Sequence, residues 1–529
     1  MRNFETTGRS LVVAQHGMAA TSHPLSSLVA IDVLRAGGNA MDAAVAACAV
    51  QCVVEPGSTG VGGDCFALYA ARGGDDVVAY NGSGRAPAAA TPDWFRENGV
   101  TSLQRPSPHS VTVPGSVEAW ERLVADHGTM SLAELLGPAI GYARDGYPLA
   151  PRAWQDWTNQ AALLGRDENA SRVFLVDGKA PPMGALHRQP DLADTLQAIA
   201  EGGARAFYEG RIAEDMVGYL RGLGGLHTLD DFAATRGEYI PPISTTFRGY
   251  RVHECPQNGQ GIIALLILNI LSRFEAKGDP LAVDRLHLEI EATRLAYSVR
   301  DRYLADHHEM PVDWMLSDPL ADDLASRIDL TRALPAMPTL TAGSRHRDTV
   351  YISVVDKDRN AASFINSIFF NFGAALVSPK TGVLFHNRGE SFVLDPDHLN
   401  CIGPGKRPLH TIIPGLMTKD GRTVMPFGVM GGHYQAMGHA HLVSKVVDFG
   451  LDLQSAIDLP RVFPRLDTGV LDVEEPLRDT VGPELARRGF NVVKPASALG
   501  GAQAVWIDHE HGTLLGASDA RKDGCALGY

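Results

Sequence analysis

The chain has 529 residues, 45% of them hydrophobic and 20% charged, so it can build an ample core as several average domains or one large one. Its net charge is −14 and no lysine or arginine run exceeds a few residues, which sets nucleic acid and anionic membranes aside as partners. No apolar run approaches the ~20 residues of a membrane span, and the opening MRNFETTGRSLVVAQHG lacks the apolar stretch of a signal peptide, so a cytoplasmic protein is expected.

Along the chain, PLSSLVAIDVLRAGG reads as a helix stopped by Gly37 and Gly38. NAMDAAVAACAVQCVV restarts one, with Asn39 as N-cap and Asp42 three residues on, an approximate capping box. Its alanines call for close packing against a neighbour. EPGSTGVGGDCFALYA is a glycine-rich turn entering a strand, and 115–147, 190–225 and 281–304 carry helical periodicity. The stretch RALPAMPTLTAGSRHRD (332–348) is the best candidate linker. From Thr349 the texture changes to short β-branched runs separated by turns, with helical segments returning near 435–460 and 474–489. Six scattered cysteines without a CxxC pair argue against a disulfide framework or a zinc site.

TVYISVVD and AASFINS flank a charged turn. With 356–360 as a five-residue hairpin loop, Val355 pairs with Ala361, and Thr349 falls opposite Ser367, Cβ atoms about 5 Å apart. Two hydroxyls then meet at a strand terminus. This is either an ordinary cross-strand pair or a nucleophile and its helper. A threonine hydroxyl needs a base, and when Thr begins a chain its own α-amine, with a pKa of roughly 7.7–8, can serve. That chemistry requires a cut just before Thr349.

Three blocks carry a resemblance. They are MAATSHPLSSLVAIDVLRAGGNAMDAAVAACAVQCVVEPGSTGVGGDCF (18–66), DTVYISVVDKDRNAASFINS (348–367), and the run from GPGKRPLHTIIP (403–414) through VMGGHYQ (429–435) to LGASDARKDGCALGY (515–529). In content and order they resemble the γ-glutamyltransferase family of N-terminal-nucleophile hydrolases. The resemblance implies an α+β fold, a four-layer αββα sandwich, made from one precursor that cleaves itself between Asp348 and Thr349. Fragments 1–348 and 349–529 then form one folded unit, a heterodimer of the chain's own two pieces, with further dimerisation left open. It implies Thr349 as nucleophile and α-amine base, Ser367 as the hydroxyl orienting it, and the Gly431–Gly432 amides as oxyanion hole. The substrate is a small-molecule amide and the acyl acceptor water or an amine, with no cofactor and no metal.

Several positions depart from the family pattern. Ser83 stands where a substrate-clamping arginine is usual, with Arg85 two residues on. Val350 and Tyr351 follow the nucleophile. Phe369, Arg388 and Ser391 replace the residues that hold an α-amino group, and His410 and Thr411 replace paired serines. Arg388 adds a fork suited to a carboxylate, unless Glu390 neutralises it. The expected function is therefore hydrolysis or transfer of a γ-glutamyl or similar carboxylate-bearing acyl group, as in glutathione metabolism. The alternatives are an amidohydrolase of cephalosporin-acylase or oxamate-hydrolase type, and an unprocessed, non-catalytic binding protein. His433, His439 and His441 lack an HExxH pattern and read as packing residues. GPGKRP lacks the full phosphate-loop pattern, GSTGVGG has no helix after it, and DHHEM (306–310) reads as a solvated turn.

Overall fold

The computed structural model describes residues 8–335 and 349–529. Two seven-stranded sheets lie face to face. The first runs in the order Val12–Ala14, Thr513–Ser518, Gly501–Asp508, Arg422–Met430, Gly415–Lys419, Tyr250–Glu254, Ile243–Phe247. The second runs Ala526–Gly528, Met18–Ala20, Val350–Val355, Ala361–Ser367, Asp64–Ala70, Val77–Gly82, Glu238–Ile240. All the pairings within both are antiparallel.

Strand alternation builds the layers. In Val350–Val355, Tyr351 and Val355 face the other sheet and join Phe66, Ile365, Leu416 and Met430 in the core between sheets. Ile352 and Val354 face the opposite way, into a core with the helices Pro24–Arg35, Ala40–Val54 and Leu132–Asp145. On the far side, Val252, Met417, Phe427 and Val429 pack against the helices Gly261–Leu271, Val283–Tyr303 and Gln435–Val447. The result is the expected four-layer αββα sandwich. Each sheet takes strands from both sides of position 349.

The helix Pro24–Arg35 ends just before Gly37, which sits at φ 103°. Asn39 caps Ala40–Val54 in a reciprocal box with Asp42, and that helix is buried along its whole length. The hairpin closes over Asp356–Asn360 and its register pairs Val355 with Ala361 and Val350 with Asn366. The first part of the candidate linker differs from a loose stretch: Arg294 donates to the carbonyls of Leu334 and Pro335, and Leu334 N–H donates to Glu291. The rest of it, Asp348 included, lies outside the described residues. All six cysteines are free. No helix among the described residues is long and apolar enough to cross a membrane.

Candidate active site

Three strands end side by side. Continuing the hairpin register one step beyond Val350 and Asn366 brings Thr349 opposite Ser367, and Ser367 in turn pairs with Asp64 on the next strand. The hydroxyls of Thr349 and Ser367 lie 3.2 Å apart, both residues fully buried. Ser367 Oγ also accepts the Phe369 N–H at 3.0 Å. Gly63, in the turn before Asp64, approaches this strand end so closely that a Cβ there would sit 2.5 Å from the Ser367 carbonyl oxygen, which is why glycine is needed.

From the other sheet comes the glycine turn. The strand Arg422–Met430 runs into Gly431 (φ 120°) and Gly432 (φ 58°). Both lie in the left-handed region, and a Cβ on Gly431 would stand 2.9 Å from Gly500 Cα. Gln435, three residues beyond the pair, directs Nε2 to Thr349 Oγ1 at 3.4 Å, while its Oε1 accepts the Ile413 N–H at 3.1 Å. The glycine turn is thereby tied to the threonine hydroxyl.

Arg388 stands in a short 3-10 turn, Arg388–Ser391. It is fully buried, its guanidinium 4.1 Å from the centroid of the Phe369 ring. One nitrogen, Nη1, donates to Thr411 Oγ1 at 3.0 Å, whereas Nε and Nη2 have no hydrogen-bond partner among the described residues. Burial pulls the guanidinium below the ordinary arginine value, with Asp64 acting the other way. Phe369 itself is held at φ 77°, a conformation that costs a bulky residue on the order of 1–3 kcal/mol. Ser391 lies on the same turn as Arg388, and its hydroxyl has no partner among the described residues.

Asp64 organises the floor. Its carboxylate accepts the Gly84 N–H at 2.8 Å, bonds His410 Nε2 at 2.9 Å and lies 3.1 Å from His386 Nδ1. Burial alone would raise its pKa, but the two histidines hold the carboxyl well below the usual range. Burial, reinforced by Arg388, pushes His410 down to about 3. His410 is therefore neutral with its proton on Nε2, and its Nδ1 is buried and has no partner among the described residues.

The remaining sequence-derived residues divide. Ser83 is buried nearby, its hydroxyl accepting from Asn258 Nδ2 at 3.2 Å. Arg85 does not join the cluster: it is 43% exposed and turns to Glu238 and Asp306 at 3.6 and 3.8 Å. In a regular strand Ser83 and Arg85 would share a face, but the strand ends at Gly82 and the backbone turns at Gly84, which is pinned to Asp64. Glu390 does not neutralise Arg388; its carboxylate takes the Arg105 N–H at 2.8 Å and Asn387 Nδ2 at 2.7 Å. Lys406 holds the carbonyl of Cys401 and Arg407 that of Ser83. His433, His439 and His441 bond Arg300, Glu254 and Glu289 respectively, each through Nδ1. Sequence reasoning missed Asp64, Gln260, His386 and Gln435. Asp64 had a signal: it is a lone carboxylate in an apolar, glycine-rich run.

Comparison with known proteins agrees with this geometry. The family model described as gamma-glutamyltranspeptidase matches residues 26–529. The glutathione hydrolase-like YwrD proenzyme of Bacillus subtilis is 36% identical over 527 residues, covering 98% of this chain and 99% of that protein. The oxamate amidohydrolase proenzyme of Klebsiella pneumoniae is 34% identical over 532 residues, with 98% and 99% covered. Among solved structures, cephalosporin acylase from Bacillus halodurans superimposes with a TM-score of 0.92 at 38% identity, covering 100% of this chain and 98% of that one. With the sandwich and a threonine at the head of its central hairpin, these matches place the chain in the gamma-glutamyltranspeptidase family of autoprocessing amide hydrolases and acyltransferases.

Proposed function

We propose that Thr349 is the nucleophile of this enzyme and that its acyl donors carry a carboxylate read by Arg388. In processing, Thr349 Oγ1 attacks the Asp348 carbonyl carbon. The C–N bond breaks, the hydroxyl proton passes to the departing nitrogen, and an ester results. Water then cleaves the ester into an Asp348 carboxylate and the Thr349 hydroxyl, leaving Thr349 as a chain start with the α-amine freed in the first step. In turnover the α-amine takes the Oγ1 proton as Oγ1 attacks the substrate amide carbon, and delivers it to the leaving amine. The acyl ester passes to water or to an amine acceptor. Ser367 orients the hydroxyl, and the amides of the Gly431–Gly432 turn receive the oxyanion. The reading is carried by one observation: the Thr349 hydroxyl meets both Ser367 at 3.2 Å and Gln435, the residue that closes the glycine turn.

The acyl preference is supported by Arg388. A fully buried guanidinium with two open donors lacks the partner that burial demands, and a carboxylate is the ligand its fork fits. The carboxylate beside it is poorly placed to take a substrate ammonium, because Asp64 is engaged by Gly84, His410 and His386. Acyl groups of glutaryl or oxamoyl type are thus favoured beside γ-glutamyl. The names of the relatives span that range: glutathione hydrolase-like, oxamate amidohydrolase and cephalosporin acylase. Intact-mass analysis tests processing: the wild type is expected as two fragments, 1–348 and 349–529, and Thr349→Ala as one uncut chain. Offering γ-glutamyl-p-nitroanilide, glutaryl and oxamoyl amides and reading the acyl adduct at Thr349 then tests the donor. A wild type that stays uncut and acquires no adduct is a binding protein instead.

A further inference from the structure

Gln260, fully buried at the start of the helix Gly261–Leu271, has every polar atom engaged. Its Nε2 donates to the Gly432 carbonyl and to the Thr411 carbonyl, both at 2.9 Å. Its Oε1 accepts from Arg300 Nη1 at 3.3 Å, and its own N–H donates to the His410 carbonyl at 2.9 Å. Arg300 can only donate, so the amide has one possible orientation, with Oε1 toward Arg300 and both N–H bonds toward the carbonyls.

The two carbonyls belong to different parts of the site. Thr411 carries the hydroxyl that holds Arg388. Gly432 is half of the glycine turn. In a trans peptide C=O and N–H point opposite ways. Tyr434 N–H on the Gly431 carbonyl, at 3.1 Å, fixes the peptide plane before Gly432, and Gln260 on the Gly432 carbonyl fixes the plane after it. Both planes flanking Gly432 are thus held: the first carries the Gly432 N–H, and the second fixes where the glycine turn leads into His433. Two glycines at positive φ have little stiffness of their own; the Tyr434 and Gln435 N–H groups brace them from within the turn, and Gln260 adds the side-chain bond that ties the turn to the rest of the site.

Resting on the function proposed above, we infer that Gln260 is a positioning residue: it anchors the glycine turn that carries the oxyanion amides and sets its distance from the Arg388 carboxylate site. Substrate bound at Arg388 is then presented to an oxyanion hole whose place is measured from the same side chain, and the binding energy at the carboxylate is expressed in kcat. Gln260 acts through the Gly432 and Thr411 carbonyls rather than on Thr349 or Arg388, so the role is indirect.

The test uses the processed enzyme with glutaryl-p-nitroanilide, following kcat, KM and the rate of adduct formation at Thr349, on Gln260→Glu and Gln260→Met. A misaimed oxyanion donor costs about 100-fold, so kcat is expected to fall by about that factor, with KM within about threefold. At neutral pH the carboxylate introduced by Gln260→Glu repels both carbonyls. On acidification it regains one O–H donor, so the deficit of Gln260→Glu relative to wild type should shrink as pH falls, while that of Gln260→Met should not. Thermal unfolding accompanies each variant; if Gln260→Glu does not fold, Gln260→Met, which buries no charge, carries the kcat comparison. Wild-type acylation rates in the variants, or a loss confined to KM, overturn the inference and leave the function standing. A wild type without any Thr349 adduct overturns both.

Discussion

Replacing Arg388 by methionine separates its cost to the fold from its use in binding. The guanidinium is fully buried, and among the described residues Nη1 donates to Thr411 while Nε and Nη2 have no partner. The guanidinium lies over the Phe369 ring, a face that an unbranched methionine of similar length can also cover. Such a group destabilises the empty enzyme, and its removal should leave the thermal midpoint unchanged or raised. In the proposed complex the same two nitrogens meet a carboxylate. Each charge-assisted bond is worth about 1.5–3 kcal/mol; two at the low end give about 3 kcal/mol, or roughly a hundredfold in kcat/KM. The assay compares glutaryl- with valeryl-p-nitroanilide, the same chain length with and without the charge, and records unfolding curves for both proteins. The expected result is a loss of about two orders of magnitude for the glutaryl donor, little change for the valeryl one, and no loss of stability. Equal losses on both donors, or a drop in midpoint with activity intact, would show that Arg388 is structural.

Ser367→Ala removes the bonds that Ser367 Oγ shares with Thr349 Oγ1 and accepts from the Phe369 N–H; with about 0.5–1.5 kcal/mol per neutral bond, acylation should slow several-fold to tenfold in single-turnover assays while KM stays. Gly431→Ala forces a side chain into φ 120° and to within 2.9 Å of Gly500 Cα; the expected outcome is a lower thermal midpoint and a loss of acylation larger than that of Ser367→Ala, and near-wild-type values for both would remove the turn from the site. His410 and His433 are each pushed by burial to about 3, Arg388 and Arg300 respectively adding to it. A histidine whose folded pKa lies below its unfolded value of about 6.5 stabilises the fold fully above that value and loses the contribution as pH falls toward 3. Urea unfolding free energies should therefore decline between pH 6.5 and 4, less steeply in His410→Gln, and a flat profile across that window would refute the assignment.

Local order was legible where neighbouring residues alone decide it. Asn39 and Asp42 announce their helix because a capping box closes over three residues, and the Thr349–Ser367 juxtaposition follows from loop length because strand pairing is arithmetic. The glycine turn was readable as well, since two adjacent glycines before a helix mark a turn at positive φ that other residues rarely adopt. What could not be read are choices made across the fold. Arg85 and Arg388 are both arginines near glycines; only packing reveals that one pairs with Glu238 and Asp306 in solvent while the other is buried on Phe369. Glu390 sits two residues from Arg388 yet serves Arg105, 285 positions away. Gln260 looks like any polar residue at a helix start, and its partners at 411 and 432 lie 151 and 172 residues on.

The placement of Thr349 also bears on why a cut there need not disturb the site. Its strand lies inside a sheet, hydrogen-bonded to Met18–Ala20 on one side and Ala361–Ser367 on the other. The strands it borders come from both sides of position 349, and the helices over it come from the earlier side. Breaking one peptide bond ahead of Thr349 removes no sheet hydrogen bond among the described residues and no contact with Ser367 or Gln435. The glycine turn is held from the other side of the cut, by Gln260, and by Tyr297 and Arg300, which bond the carbonyl and Nδ1 of His433. A fragment starting at Thr349 would carry the proposed nucleophile and the glycine pair but none of these three supports. Activity should consequently belong to the two pieces together, with the hydrogen bonds of Gln260 spanning what was once a single chain.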